Sequence, residues 1–214
     1  RDHIVDAVAG EKASDLAEKA PKYWIAGNAL QAASERGMKT VGLTVNGADG
    51  KGIGYFEGDE NRVRLTPRHW AYLRISEGCN QRCAFCTIPS IRGKMRSKPI
   101  AAIESEARSL MASGAFELNL IGQDTTSYGM DVGYEGGLPG LLKSVNGVAR
   151  EFGGGWMRLM YAYPSKFDDA SIDAIANLDN ILKYIDMPLQ HASAPVLRAM
   201  RRSGDAESYL RLLD

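Results

Sequence analysis

Cysteine is almost absent from this chain. There are three among 214 residues, Cys79, Cys83 and Cys86, all inside one eight-residue stretch. An odd count at such short spacing gives no useful disulfide staple. Structural zinc sites usually pair ligands as Cys-x2-4-Cys with a second pair further on. No second pair exists, and the nearest histidine, His69, lies ten residues before Cys79. No apolar run approaches the roughly 20 residues a membrane helix needs, so no membrane partner is expected. Reduced cysteines at metal spacing fit a cytoplasmic setting. The chain opens on Arg1 rather than Met and reads as a piece of a longer protein. Formal net charge is zero, but it is not evenly spread: residues 62 to 98 hold nine Lys or Arg and one acid, Glu77. That local excess favours anionic partners such as a carboxylate-bearing small molecule or RNA. A solvated basic loop is the plain alternative.

What is present centres on residues 75–99, ISEGCNQRCAFCTIPSIRGKMRSKP. The spacing is Cys-x3-Cys-x2-Cys, with Phe85 just before the last cysteine. Three thiolates this close form a compact tripod that needs no distant partner. An iron–sulfur cluster of the four-iron type has four corners, normally held by cysteine thiolates. Three cysteines leave one iron without a protein ligand, and an open coordination position is a place for chemistry, as at a catalytic zinc.

Around this stretch the pattern alternates. Residues 71–75 read as a strand, followed by the cysteine loop. Ser97 is placed to cap a helix in which Ile100, Ile103, Ala107, Leu110 and Met111 share a face, with Gly114 at its end. Residues 116–121 are a second strand. Residues 138–152 form a helix with Leu138, Leu141, Leu142, Val145, Val148 and Phe152 inward. Residues 156–161 are a third strand, 168–177 a helix and 182–186 a fourth strand. Ser193 opens a helix over 193–202, and another starts at 206. Strand–helix alternation argues for an α/β fold of parallel βαβ units. Ligands of such folds sit at the carboxyl ends of the strands. The motifs fall there: the cysteine loop, then GQDTTSYG, AYPS and MPLQHAS. Four strands are too few to close a barrel. Upstream, residues 2–20 read as a helix, and the glycine-punctuated 22–64 as a linker.

The cysteine stretch, with LNLIGQDTTSYG, RLMYAYP and YIDMPLQHAS, resembles the radical S-adenosyl-L-methionine (AdoMet) methylthiotransferases. The likeness runs from about Leu65 to Arg202. It implies a partial parallel (βα) barrel of the radical AdoMet type over 65–214, incomplete at its C-terminus. Residues 1–21 would then be the last helix of an N-terminal methylthiotransferase domain. Two further βα units and an RNA-binding-type domain are expected after Asp214. The resemblance implies a 4Fe-4S cluster on Cys79, Cys83 and Cys86, with the amine and carboxylate of AdoMet on the open iron. An external electron donor would supply the electron that cleaves AdoMet. A second 4Fe-4S cluster belongs to the family's N-terminal domain, for which this chain has no cysteines.

The same likeness gives Gln123 and Asp124 contact with AdoMet; the alternative is a polar turn with Asp124 capping its own loop. It places Phe85 near the adenine, or else in core packing. Gln190 and His191 are candidates to face the substrate, although a loop histidine with a structural hydrogen bond is equally compatible. Arg158, inside a strand, either reaches the barrel interior and pairs with a carboxylate or is exposed. Two branches of the family differ in substrate. The transfer-RNA adenosine branch tends to carry GQN, Ser-His-Pro and P-x-Q-S-G-S after the second, third and fourth strands. This chain has Gly122-Gln123-Asp124, Tyr161-Ala162-Tyr163-Pro164 and Pro188-Leu189-Gln190-His191-Ala192-Ser193. All three resemble the branch that modifies the β-carbon of an aspartate in the small-subunit ribosomal protein S-twelve, on the ribosome or free. A non-catalytic iron–sulfur or RNA-binding module is the alternative outside enzymes.

Overall fold

The computed structural model describes residues 64–214; the expected helix over 2–20 and the linker over 22–64 lie outside the described residues, but for Arg64. In chain order the elements are β1 (Trp70–Arg74), β2 (Ser76–Glu77), α1 (Ile88–Ile91), β3 (Arg96–Ser97), α2 (Ile100–Ala112), β4 (Glu117–Ile121), α3 (Gly137–Glu151), β5 (Trp156–Leu159), α4 (Asp169–Asn177), α5 (Ala194–Ala199) and α6 (Ala206–Leu213). β1, β4 and β5 form one parallel sheet with β4 in the middle. Trp70 stands opposite Glu117, and Glu117 opposite Trp156.

The two-residue period of the strands splits the sheet into unlike faces. Ala71, Leu73, Leu118, Leu120, Met157 and Leu159 are all buried in one core. Into that core α2 sends Ile103, Ala107 and Met111, and α3 sends Leu138, Leu141, Leu142, Val145 and Val148. Each fully buried Leu or Met contributes roughly 1.5–3 kcal/mol. The other face is mixed: it carries Tyr72, Glu117, Asn119 and Arg158. Arg158 Nε donates to Glu117 Oε1 at 2.6 Å, and its guanidinium lies 4.8 Å from the Tyr184 ring. Of the two readings of Arg158, pairing with a carboxylate is the one found.

The α/β class and the parallel order stand, but four local expectations are corrected. The fourth strand over 182–186 does not form; a single parallel bridge joins Met157 and Ile181. The reason lies at Tyr161, whose φ of 61° turns β5 out of the ladder. Its amide donates to the Asp186 side chain and the Ala162 amide to the Asp186 carbonyl, so the segment runs alongside without regular pairing. Ser97 does not cap α2. Its amide and hydroxyl donate to Asp131 instead, and Pro99 takes the N-cap position. Ser193 occupies the N-cap position of α5 without a side-chain cap, and α5 ends at Ala199, short of residue 202. Phe152 follows the last residue of α3 and is exposed. α4 starts as expected, because Asp168 accepts from the Ser171 amide at 2.9 Å.

Candidate cluster and cofactor site

The cysteine loop leaves the carboxyl end of β1 through a short neck. β2 and β3 pair antiparallel there, Ser76 with Ser97 and Glu77 with Arg96. This ribbon was not foreseen; two-residue strands carry no readable period. Further bonds close the loop above it. The Cys79 amide donates to the Gly93 carbonyl at 3.1 Å, and the Met95 amide to Asn80 Oδ1 at 3.0 Å. Within the loop the Cys86 amide donates to the Cys83 carbonyl at 3.2 Å. α1 lies just beyond, with Pro89 in its first turn, where a missing N–H costs nothing.

Cys79 and Cys83 are buried and Cys86 is half-buried. Burial pushes the Cys79 thiol up to about 12, against a hydrogen bond from the Gln81 amide. A buried sulfur without a cation stays protonated; a metal supplies the missing positive charge and takes the thiolate. The donor set therefore fits an iron–sulfur group. Among the described residues no three His, Cys, Asp or Glu side chains are placed to hold one metal ion. A cluster offers each thiolate its own iron corner, so its ligands need not converge on one ion.

The loop after β4 ties the cysteine loop to the rest of the site. Gln123 Oε1 accepts from the Gly78 amide at 2.6 Å. Asp124, 1% exposed, accepts from Gln81 Nε2 at 2.7 Å, Thr126 Oγ1 at 2.7 Å, Ser127 Oγ at 2.8 Å and the Ser127 amide at 3.3 Å. Both carboxylate oxygens are thus engaged inside the protein, which is the loop-capping arrangement. On the far side Thr125 Oγ1 donates to the Met160 carbonyl at 2.7 Å, and the Tyr163 amide to Thr126 Oγ1 at 3.2 Å. The exits of β1, β4 and β5 are therefore laced together, as the strand-end motifs predicted.

The remaining candidates are dispersed. Phe85 is 55% exposed on the cysteine loop, so core packing does not describe it. Gln190 has a φ of 70°. His191 Nδ1 accepts from the Ser193 amide at 2.9 Å, the structural hydrogen bond of a loop histidine. Leu189, Gln190 and His191 border an apolar cavity of about 400 Å³ against Tyr209, Leu210 and Leu213 of α6, and no cysteine lines it.

Part of the basic excess is paired locally. Arg74 and Arg92 both pair with Glu77, at 2.7 and 3.3 Å. Lys98 pairs with Glu106 in the interior. Arg64 and Arg68 donate to Ser113. One basic residue outside that segment was missed. Arg202 is buried and donates through Nη1 to Cys83 Sγ at 3.7 Å. Its only sequence signal is an Arg-Arg pair closing an apolar helix.

A three-cysteine loop at the carboxyl end of the first strand of a parallel sheet defines the class, an α/β protein whose strand exits are organised around that loop. The Radical SAM superfamily matches residues 73–214, and the chain belongs to that superfamily. The iron–sulfur cluster and AdoMet are that superfamily's cofactors. Two of its curated relatives are the ribosomal protein uS12 methylthiotransferases RimO of Beijerinckia indica and Desulforamulus reducens. The first is 48% identical over 157 residues, 71% of this chain and 35% of the relative. The second is 49% identical over 146 residues, 67% of this chain and 32% of the relative. The RimO of Chloroflexus aurantiacus is 43% identical over 177 residues, 82% of this chain and 38% of the relative. The chain spans about a third of the length of these relatives. Among solved structures, the radical S-adenosylmethionine methyltransferase TsrM from Kitasatospora setae, with cobalamin and an iron–sulfur cluster bound, shares the fold. The TM-score is 0.53 at 18% identity, over 67% of this chain and 28% of that one.

Proposed function

We propose that this chain is the radical AdoMet part of a methylthiotransferase acting on an aspartate β-carbon of ribosomal protein uS12. The observation that carries the reading is the lacing of three strand exits around one cysteine tripod. The names of the curated relatives support the substrate. Cys79, Cys83 and Cys86 would hold the 4Fe-4S cluster, and the iron they leave open would take AdoMet. When bound, the two supply one-electron cleavage of a carbon–sulfur bond and hydrogen abstraction from an unactivated carbon, chemistry that belongs to the cofactor.

The protein's own residues position and exclude. Gln123 and Asp124 serve the cofactor by holding the cysteine loop against the β4 exit, since their oxygens are already committed. Phe85, exposed on the loop, is available to the adenine. Gln190 and His191 stand on the substrate side. An external donor in the cytoplasm supplies the electron, and a second 4Fe-4S cluster sits elsewhere in the longer protein.

Anaerobic reconstitution tests the reading. The chain should take up iron and sulfide and show cluster absorption, and Cys79→Ala, Cys83→Ala and Cys86→Ala should each lose it. Full iron retention in Cys83→Ala would mean the tripod is misassigned. Reduced holoprotein should convert AdoMet to deoxyadenosine.

A further inference from the structure

We infer that Arg202 sets the reduction potential of the cluster by donating to the sulfur of Cys83; this rests on the cluster assignment proposed above. Arg202 is 7% exposed. Its Nη1 donates to Cys83 Sγ at 3.7 Å, and its Nη2 to the Pro188 carbonyl at 2.8 Å. The guanidinium lies over the Tyr163 ring, 4.3 Å from its centroid. Its Nε–H is buried without a hydrogen-bond partner. Among the described residues no carboxylate pairs with it. A buried cation with no anionic partner is costly, and such charges are normally paired. The sulfur facing this one belongs to a cysteine that becomes a thiolate when the cluster is bound. The cluster is the anion that completes the pair.

The chain is built to aim this side chain. α5 closes with the Arg201 amide donating to the Arg198 carbonyl at 2.9 Å and the Arg202 amide to the Leu197 carbonyl at 2.8 Å. That double bond is a Schellman ending, whose next-to-last residue is usually glycine. Here it is Arg201, at a φ of 54°, a conformation that side chains occupy only when the surroundings impose it. The Ala84 amide donates to the Met200 carbonyl at 2.9 Å, docking the cysteine loop on the same corner. The loop and the arginine are therefore held in register by backbone bonds as well as by the side chain.

Reduction adds one negative charge to a cluster. A cation and an N–H donor on a ligand sulfur stabilise the more negative state and raise the potential. Arg202 thus acts through Cys83 as a positioning and tuning residue, easing electron entry from the external donor.

The test is a potentiometric titration, followed by electron paramagnetic resonance, of the anaerobically reconstituted chain and its Arg202→Met and Arg202→Lys variants. With iron and sulfide contents matched, Arg202→Met should shift the reduction equilibrium at least tenfold toward the oxidised cluster, a fall of about 59 mV for a one-electron couple. Arg202→Lys, which keeps the charge, should stay within about threefold of the parent. A methionine variant within threefold of the parent overturns the inference, as does a lysine variant that shifts as far as methionine. If Arg202→Met loses its cluster, the lysine variant decides. Lysine with a cluster at the parental potential supports the role of the charge. Loss of the cluster in both makes Arg202 a packing residue and overturns it. A parent that binds no iron would instead sink the cluster assignment itself.

Discussion

At Gly78 the chain leaves the sheet with a φ of +80°, and a Cβ built there would stand 2.2 Å from the Lys94 carbonyl oxygen. The obstacle is backbone on the opposite side of the loop neck, so it cannot swing away. Gly78→Ala should therefore destabilise the protein by about 1–2 kcal/mol from the left-handed conformation alone, and by more as the neck opens. The Gly78 amide also donates to Gln123, so the same change loosens the contact with the loop after β4. Denaturant unfolding and iron content measured on one preparation check this; a variant matching the parent in both would show that the neck is not needed. The spacing of the cysteines was readable because all three ligands lie in one short stretch. The bonds of Asp124 were only half readable. That it sat at a strand exit followed from the pattern, but its partner Gln81 lies 43 residues away and was not identified.

The elements are held by one apolar seam. Leu120 is fully buried in the central strand, among side chains from α2, α3 and both neighbouring strands. Leu120→Ala should cost about 2–5 kcal/mol, the range for large-to-small changes in a packed core, measured by chemical denaturation. α6 depends on a different device. Asp205 and Ser208 form a reciprocal capping box, and the hydrogen bonds from Ser208 hold the Asp205 carboxyl below its usual value of 3.8. A depressed carboxyl contributes stability that is present above its unfolded pKa and lost as pH falls through the folded one. α6 should therefore fray as the pH is taken below about 3.8. Asp205→Asn, which caps without titrating, should abolish that dependence. Backbone chemical shifts of residues 206–213 between pH 5 and pH 3 report it, and identical fraying in both proteins would mean the cap is irrelevant. Among the described residues, α2 and α3, with their three-to-four-residue apolar spacing, were found where the sequence put them. The expected strand over 182–186 was not, because its apolar run says nothing about whether the neighbouring backbone remains straight enough to pair.

For the whole protein the decisive measurement is on the substrates. In cells lacking the gene, mass spectrometry should show uS12 without its methylthio-aspartate and transfer RNA with its methylthio-adenosine intact. The reverse pattern would assign the protein to the other branch. By itself the sequence determined the three strands of the parallel sheet, the long helices between them, and the fact that three thiols lie within eight residues of one another. These depend on neighbours within a few positions, where backbone geometry is nearly set in advance. Only the tertiary structure decided what those thiols face. The β2–β3 neck, the bond from Gln81 to Asp124, and Arg202 reaching Cys83 across 119 positions of chain all join distant segments. Such contacts form only after the sheet has brought its strand exits together. Their energy comes from burial and from polar groups that must find partners once water is gone, and no local pattern encodes which partner that will be.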